Sequence, residues 1–468
     1  MMKEANRPTM RIHPLNRSQA IHGKPYVLYW MTENRRLGSN HALDRAIRWA
    51  KRLEQPLLIV ESLDLDPSST ARRHRFILDG MAANVVESIE RGFDYFPFVE
   101  TKAGQTNQLL ADLAKHSGAV VADLPKKTTD LAVLYAAAKA FNQRVEAVDA
   151  SGLFPIPSTL KRDAFGLKST TKQSNTHENV ALNLGTPPVV SPDPQEIKGH
   201  VVLPSDITSI WTFMGYDDLL KPVEQTLALN KDIASIPLAG GRQAALIQLK
   251  KRFEMVEAGS RKPKALQELL FGLMPYLRHG HIGPYEAMEQ LDTIHAHLPS
   301  RFSRVGRRMI HAFLTGHEAG LVIEYKRDEN NPKNVVVPPY FRRLFEQQRK
   351  AVKRVDWWCL ANGETDDEKW NRAQMHLVQQ GRLPENRQRY WLEKLFEWSN
   401  NWCTALETTT QLLGRFSLMD GQGCVYSIAG IMLGSYLEPS TLSIHDAISE
   451  HPPWIKKVNP QTFRDPAA

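Results

Sequence analysis

The stretch "YVLYWMTENRRLGSNHALDRAI", Tyr26 to Ile47, begins the fold with a strand followed by a helix. Its first six residues form a compact apolar run, which is typical of a strand buried on both faces of a sheet. After Asn40 the apolar residues recur at the i, i+3, i+4 spacing of an amphipathic helix, and asparagine is a preferred N-cap. A buried strand that leads directly into a helix predicts the first unit of a parallel α/β sheet.

The same alternation of strand and helix continues to about residue 150. The segments that follow, in chain order, are "PLLIVESL", "RFILDGMAANVVESIERG", "YFPFVE", "TNQLLADLAKH", "AVVADL", "DLAVLYAAAKAFN" and "RVEAVDA". They predict an N-terminal doubly wound, Rossmann-like α/β domain over residues 1–150. No GxGxxG fingerprint follows the first strand, so the sequence does not indicate a Rossmann dinucleotide clamp.

The rest of the chain has a different pattern. Residues 151–237 are rich in Pro, Ser, Thr and Asn and have little periodicity, which predicts a long inter-domain linker. Beyond them nearly every periodic segment is helical, which predicts an all-α domain over residues 238–468. A chain of 468 residues is long enough for at least two cores.

Basic residues are clustered in the second half of the chain. The 59 Lys and Arg against 51 Asp and Glu give a net charge of +8. One cluster contains Arg307 and Arg308, and a second contains Arg342 and Arg343. Two such runs favour a polyanion partner such as DNA, although each run alone is also typical of a solvated helix face.

Several classes of protein are not indicated. The chain has no run of eighteen apolar residues, so we expect no membrane span. Its three cysteines are widely spaced and its N-terminus is polar, which favours a cytoplasmic protein with neither a disulfide framework nor a metal site. We expect a monomer.

Tryptophans are concentrated in "EKWNRAQMHLVQQGRLPENRQRYWLEKLFEW", Glu368 to Trp398. Trp391 and Trp398 are seven residues apart and therefore share one face of a helix, while Trp370 comes from the neighbouring helix. Two interpretations are open: packing anchors whose indole N–H groups are satisfied in the core, or π systems that carry electrons.

Several segments resemble class II cyclobutane pyrimidine dimer photolyases, within the photolyase/cryptochrome superfamily. They are the opening stretch, "STARRHRFILDGM", "LRHGHIGPYEAM" and the tryptophan-rich stretch, in the family's order. The resemblance covers most of the chain and is weakest in the linker and in residues 315–340. It implies a helical FAD-binding domain and a light-driven DNA repair enzyme, a deoxyribodipyrimidine photo-lyase acting on DNA that contains pyrimidine dimers. Because such enzymes often carry a deazaflavin-type antenna chromophore in the α/β domain, the resemblance also implies that one can be bound here.

The resemblance also assigns roles to residues of the helical domain. It implies an electron relay with Trp391 nearest the flavin, Trp370 in the middle and Trp398 outermost. It implies flavin contacts at His279, Gly280 and His281, where two solvated or capping histidines in a helix turn are the alternative. Asn371 and Gln374 are expected to bond the polar edge of the flavin, or else to cap neighbouring carbonyl groups.

Further roles fall in the C-terminal third of the chain. Asp420 resembles a carboxylate near the flavin ring, and we expect Arg387 or Arg389 to pair with it. Tyr426 occupies the position of an aromatic residue that stacks on the lesion, with a core tyrosine as the alternative. Glu324, like Glu318, is a candidate for the substrate-binding glutamate, with an ordinary surface carboxylate as the alternative.

A second hypothesis is a repair-inactive, cryptochrome-like photosensor or DNA-binding protein with altered or absent FAD. It is favoured by the altered loop "LMDGQGCVY" and by "LLFGLMPY", where hydroxyl side chains that would hold the FAD phosphates are expected. The complete tryptophan set and the basic runs favour the repair enzyme.

Overall fold

The structure is a computed structural model. It describes residues 11–64, 70–126, 128–153, 155, 188–189, 192–221, 233, 236–257, 272–296, 317, 321, 354–383 and 385–418.

The N-terminal part is a six-stranded sheet with helices between the strands. In chain order its elements are β1 (Ile12–Pro14), β2 (Tyr26–Met31), α1 (His41–Leu53), β3 (Leu57–Leu63), α2 (Ala71–Arg91), β4 (Asp94–Val99), α3 (Gln105–Lys115), β5 (Ser117–Asp123), α4 (Thr128–Ala140) and β6 (Arg144–Val148). The strand order is β1-β6-β5-β2-β3-β4, with β1 antiparallel to β6 and the other neighbours parallel. The order reverses between β2 and β5, which makes this pair the topological switch point of the sheet.

The apolar runs form strands because both faces of the sheet are covered. Every residue of β2, β3 and β5 is buried. Along β2, Leu28 and Trp30 enter the core on one face, while Val27 and Tyr29 enter the core on the other, as the two-residue period of a strand requires. The side chain of Asn40 accepts hydrogen bonds from the first turn of α1, so the predicted N-cap is confirmed.

The C-terminal part is helical. Its elements are a 3₁₀ turn (Pro194–Glu196), α5 (Ser205–Thr208), α6 (Tyr216–Leu220), α7 (Arg242–Glu257), α8 (Pro284–Ala296), α9 (Trp357–Asn362), α10 (Glu368–Gln380), α11 (Glu385–Glu397) and α12 (Trp402–Phe416). Residues 272–278 are also helical. The described residues after β6 contain no strand. The predicted combination of a doubly wound α/β sheet with an all-α region is confirmed.

Part of the predicted linker packs on the α/β domain. Trp211 enters the core beside the sheet, and its Nε1 donates to Asp112 Oδ2 of α3 at 3.0 Å. Arg75 of α2 donates to the carbonyl oxygen of Leu219 in α6 at 2.7 Å. Residues 192–221 therefore belong structurally to the first domain, although their composition resembles a connector; the exact domain limits stay a prediction.

Two sets of contacts join the α/β domain to the helical domain. In the first, Gly280 lies against the loop after β2, where an added Cβ would overlap the carbonyl oxygen of Glu33. Buried Arg36 donates from Nη1 to the carbonyl oxygen of Gly280 at 2.9 Å. This close approach requires glycine, which also has a positive φ of 72° at this position.

In the second set, arginines of α2 bind the C-terminal ends of two helices. Arg72 donates to the carbonyl oxygens of Phe416 in α12 at 2.6 Å and of Val378 in α10 at 2.7 Å. Arg73 donates to the carbonyl oxygen of Gly414 at 2.8 Å. Positive charge at a helix C-terminus is favourable because the last carbonyl groups lack partners within the helix.

Candidate electron-transfer site

Helices α10, α11 and α12 form one apolar cluster that contains the predicted tryptophans. Asp367 is the N-cap of α10, and its Oδ1 accepts the backbone N–H of Trp370 at 2.9 Å. Gly381, in the left-handed region, is the C-cap. The side chain of Asn401 caps α12 in the same way as Asp367 caps α10. Local sequence thus fixes the helix ends, and the apolar faces bring the three helices together.

The three tryptophans lie in contact, with Trp370 in the middle. The rings of Trp370 and Trp391 are stacked, with centroids 5.9 Å apart and planes 7° from parallel. Trp370 and Trp398 meet edge to face at 5.3 Å and 68°. Trp370 is 0% exposed and Trp391 is 2% exposed, whereas Trp398 is only partly buried. The spatial order is the one expected for a relay toward the surface, and the relay itself stays a prediction.

Both buried indoles donate to neutral oxygen atoms. Trp370 Nε1 donates to the backbone carbonyl oxygen of Trp391 at 2.9 Å, and Trp391 Nε1 donates to Gln374 Oε1 at 2.9 Å. Trp370 and Trp391 therefore meet the packing interpretation, which is compatible with the relay. An indole that loses an electron here has no strong base at its N–H, so it keeps its proton and its positive charge.

Asn371 and Gln374 are engaged with nearby protein groups. Gln374 Nε2 donates to the carbonyl oxygen of Ala361 at 3.2 Å, in addition to the bond from Trp391. Asn371 bonds Thr365 at three points, including Nδ2 to the carbonyl oxygen at 2.6 Å. These contacts are those of the capping interpretation, since they connect α10 to the last turn of α9 and to the turn that follows it. A flavin contact for either residue stays a prediction.

A small hollow lies beside Trp391, between α11 and α12. Its lining consists of Leu383, Gln388, Trp391, Leu392, Thr409, Leu413 and Ser417. Within this lining, Gln388 Nε2 donates to the carbonyl oxygen of Leu383 at 2.7 Å. This hollow is mainly apolar and only about as large as one water molecule, so in the described residues it is not a flavin-sized cavity. The described residues supply no diphosphate site beside it.

Other predicted positions are not brought into this site by the described residues. Arg387 is exposed on α11. The remaining predicted positions lie outside the described residues, in the case of Arg389 for its side chain: Asp420, Tyr426, Glu324, Glu318, Arg307, Arg308, Arg342, Arg343 and Arg389. Their roles stay predictions.

His279 and His281 lie where the two domains meet. His281 Nδ1 accepts the backbone N–H of Gly241 at 2.9 Å, so its proton is on Nε2, which faces Gly80 of α2. His279 Nε2 lies 2.8 Å from the carbonyl oxygen of Leu418. Both side chains are buried, so the alternative of solvated histidines is wrong. A flavin contact for this turn stays a prediction.

Burial keeps His281 and His317 neutral. Burial, followed by the nearby charges of His279, Arg35 and Arg36, lowers the pKa of His281 well below its usual value. Burial likewise lowers the pKa of His317 to about 4, although the carbonyl group of Ser151 acts in the opposite direction. Protonation of His281 also removes the acceptor for a buried N–H group.

We therefore expect acid to destabilise the protein through His281 and His317. The unfolded chain binds these protons near pH 6.5 and the folded chain does not, so their contribution to stability is complete above pH 6.5 and declines as pH falls. The decline is about 1.4 kcal/mol per histidine per pH unit and ends at the folded pKa. Urea unfolding of wild type and His281→Asn at several pH values measures it.

The matched control for this measurement is His22→Asn, because His22 is exposed. We expect a shallower pH dependence for His281→Asn and an unchanged one for His22→Asn. Equal slopes for all three proteins would contradict the assignment.

Trp370, Trp391 and Trp398 form a tryptophan cluster, and a phenol, a carboxylate and an ammonium group that were not predicted from the sequence lie at its outer end. Tyr390 donates to Asp367 Oδ2 at 2.5 Å, and Lys394 Nζ lies 3.5 Å from the same oxygen. Burial acts to raise the pKa of Asp367, but the hydrogen bonds from Tyr390 and Trp370 and the charge of Lys394 outweigh it and lower that pKa. Burial and Asp367 raise the pKa of Tyr390. The available signal was an aspartate three residues before Trp370 and a tyrosine next to Trp391.

Two absences bear on other chemistry. Among the described residues, no three or more His, Cys, Asp or Glu side chains are grouped so that they could hold a metal ion. Within the same part of the chain, every helix is too short or too polar to cross a membrane.

The sequence is similar to those of known proteins over most of its length. No family model matches the chain. Deoxyribodipyrimidine photo-lyase of Oryza sativa subsp. japonica is 26% identical over 461 residues, which are 89% of this chain and 83% of that protein. The enzyme of the same name from Methanothermobacter thermautotrophicus is 22% identical over 424 residues, 88% of this chain and 86% of that protein. These matches over most of the chain support the predicted photolyase/cryptochrome superfamily.

A solved structure of this superfamily shares the fold. It is a bacterial class III photolyase from Agrobacterium tumefaciens, similar with a TM-score of 0.58 and 15% identity over 90% of this chain and 80% of that one. The predicted superfamily is supported by these similarities, and the assignment to class II stays a prediction.

Proposed function

We propose that this protein is a class II photolyase-like flavoprotein that repairs cyclobutane pyrimidine dimers in DNA by light-driven electron transfer involving FAD. The observation that carries the proposal is the stack of buried Trp391 on Trp370, continued edge to face by the partly buried Trp398. Two relatives that match most of the chain are named deoxyribodipyrimidine photo-lyase, which supports the same substrate class.

The protein residues position and supply the electron path. Trp391 would lie nearest the flavin ring, as the family resemblance implies, and Gln374 holds its indole in orientation. Trp370 touches both other indoles, and Trp398 brings the path to the surface. Bound FAD supplies the light-excited one-electron chemistry, which no protein side chain provides.

The structure at the carboxyl ends of β2 and β5 gives no argument for a deazaflavin antenna. This switch point is where ligands of doubly wound sheets bind. Here Asp123 Oδ2 accepts the backbone N–H groups of Thr32, Glu33 and Asn34, each at 2.9 Å, and so occupies the anion-binding position with a side chain of the same chain. The antenna stays a prediction.

The function is tested by the colour and the light response of the purified protein. We expect a flavin absorption spectrum, either as isolated or after reconstitution with FAD. We also expect recovery of thymine monomers from an irradiated oligonucleotide in blue light and none in darkness. A folded protein that binds no flavin would exclude the proposal. Flavin binding and DNA binding without monomer recovery would instead favour the repair-inactive photosensor.

Replacement of Trp391 tests the electron path separately. In Trp391→Phe we expect flavin binding to be retained and photoreduction of oxidised flavin to slow by at least about tenfold, because the first indole of the path is missing; a tenfold change corresponds to about 1.4 kcal/mol in the barrier. Trp358→Phe is the matched control, since Trp358 is 67% exposed on α9. Equal photoreduction rates for the two variants would remove Trp391 from this role.

A further inference from the structure

We propose that Tyr390 is a redox-active residue at the outer end of the tryptophan cluster, with Asp367 as the acceptor of its phenol proton. The inference rests on the proposed function for its natural oxidant, because light-driven oxidation of the cluster requires the flavin. It adds to the three tryptophans a fourth electron donor and a proton acceptor.

The geometry ties this pair to the tryptophan cluster on both sides. Tyr390 directly precedes Trp391 on α11, is partly buried, and packs against the cluster. Its hydroxyl group donates to Asp367 Oδ2 at 2.5 Å, a length typical of a strong charge-assisted hydrogen bond. The other carboxylate oxygen of Asp367, Oδ1, accepts the backbone N–H of Trp370. The carboxylate is thus held by the fold within reach of the phenol proton.

The indoles and the phenol differ in what happens to charge on oxidation. Trp370 and Trp391 donate to neutral oxygens, so an oxidised indole keeps its proton and remains a cation. Lys394 Nζ lies 5.8 Å from the ring centroid of Trp398, which disfavours a positive charge there. Tyr390 can lose its proton to a carboxylate as it loses an electron, so the oxidised residue is neutral. The nearby ammonium groups of Lys369 and Lys394 do not oppose a neutral radical.

The step balances in electrons, protons and charge. One electron passes from Tyr390 to an oxidised indole of the cluster, which returns to its neutral form. The phenol O–H bond breaks, and the proton forms a bond with Asp367 Oδ2. One cationic indole and one carboxylate are replaced by a neutral indole and a neutral carboxylic acid, with a neutral tyrosyl radical. The oxidation is then held away from Trp391, which slows its return to the cofactor.

The experiment produces the oxidised indole without flavin, so that it does not depend on the proposed function. Azide radicals generated by pulse radiolysis oxidise tryptophans of the full-length protein, and transient absorption follows the tryptophanyl and tyrosyl radicals. In wild type we expect a fast intramolecular phase in which the tryptophanyl signal is replaced by the tyrosyl signal. We expect loss of this phase in Tyr390→Phe, with a longer-lived tryptophanyl radical. Tyr135→Phe is the matched control, because Tyr135 is 45% exposed on α4, and it should retain the phase.

Asp367→Asn separates proton transfer from structure. Asparagine is as good an N-cap as aspartate and its amide can donate to the tyrosine oxygen, but it cannot take up the proton. We expect Asp367→Asn to slow the fast phase, and we expect heavy water to slow it in wild type. Thermal unfolding identifies any variant that fails to fold, and the solvent isotope effect in wild type is then the deciding measurement.

Two results would overturn the proposal: an unchanged tyrosyl phase in Tyr390→Phe, or a wild-type phase without a solvent isotope effect. Failure to bind flavin would end the proposed function but would leave this radiolysis result intact, so the two failures are distinguishable.

Discussion

Replacing Gly280 by alanine is expected to lower the free energy of unfolding by about 3 kcal/mol or more and to loosen the contact between the two domains. Two costs combine at this residue. Its φ of 72° is strained by about 1 kcal/mol for any residue with a Cβ. In addition, the Cβ would overlap the carbonyl oxygen of Glu33, and the backbone of Asn34 and Arg35 lies close behind it. The clash cannot be relieved by a side-chain rotation, because all of these groups are backbone.

Gly23→Ala isolates the second cost from the first. Gly23 has nearly the same φ, 74°, but no atom lies within 4 Å of an added Cβ. We expect this control to lose only the backbone term, about 1 kcal/mol. Urea unfolding of the two variants measures the difference. If both variants lose the same stability, the close approach of Gly280 to the loop after β2 is not a constraint on the fold.

Replacing Arg72 by methionine is expected to lower the free energy of unfolding by about 3 kcal/mol. The guanidinium group donates to the last-turn carbonyl groups of α12 and α10, and these two acceptors would lose their charged donor. Loss of a partner by a buried polar group costs about 1 to 3 kcal/mol for each group. Methionine keeps the apolar volume of the side chain, so the measured loss reports chiefly on the hydrogen bonds and on the charge at the helix ends.

Arg48→Met is the matched control for this change, since Arg48 is exposed on α1. We expect this substitution to change the free energy of unfolding, measured with urea, by no more than about 0.5 kcal/mol. In Arg72→Met we also expect tryptophan fluorescence to change before global unfolding. The reason is that Arg72 binds the end of α10, the helix that carries Trp370. Equal midpoints for the two methionine variants would show that the helix ends do not depend on Arg72.

The architecture was predictable because it follows from local patterns. The runs Tyr26–Met31 and Leu57–Leu63 are apolar throughout, and only a strand covered on both faces buries such a run at every position. Asn40 marks a helix start through a bond to residues two and three positions later, which sequence shows directly. The tryptophan positions followed from helical spacing together with a family resemblance.

The contacts between distant parts of the chain were not predictable in the same way. Arg72 and Phe416 are 344 residues apart, and only the completed fold brings them together. The stacking of Trp370 on Trp391 depends on how α10 crosses α11, which spacing within each helix does not specify. Residues 192–221 have the composition of a connector, yet Trp211 and Leu219 anchor them to the first domain.

The bond from the indole of Trp370 to the main-chain oxygen of Trp391 couples the proposed electron path to the packing of α10 on α11. A slide of α11 along α10 by one residue would break this bond and separate the stacked rings in the same movement. Conduction through the pair should therefore be lost in one step when the helices come apart, rather than fade gradually on warming. The rate of electron transfer between the two indoles would then report whether α10 and α11 remain in register.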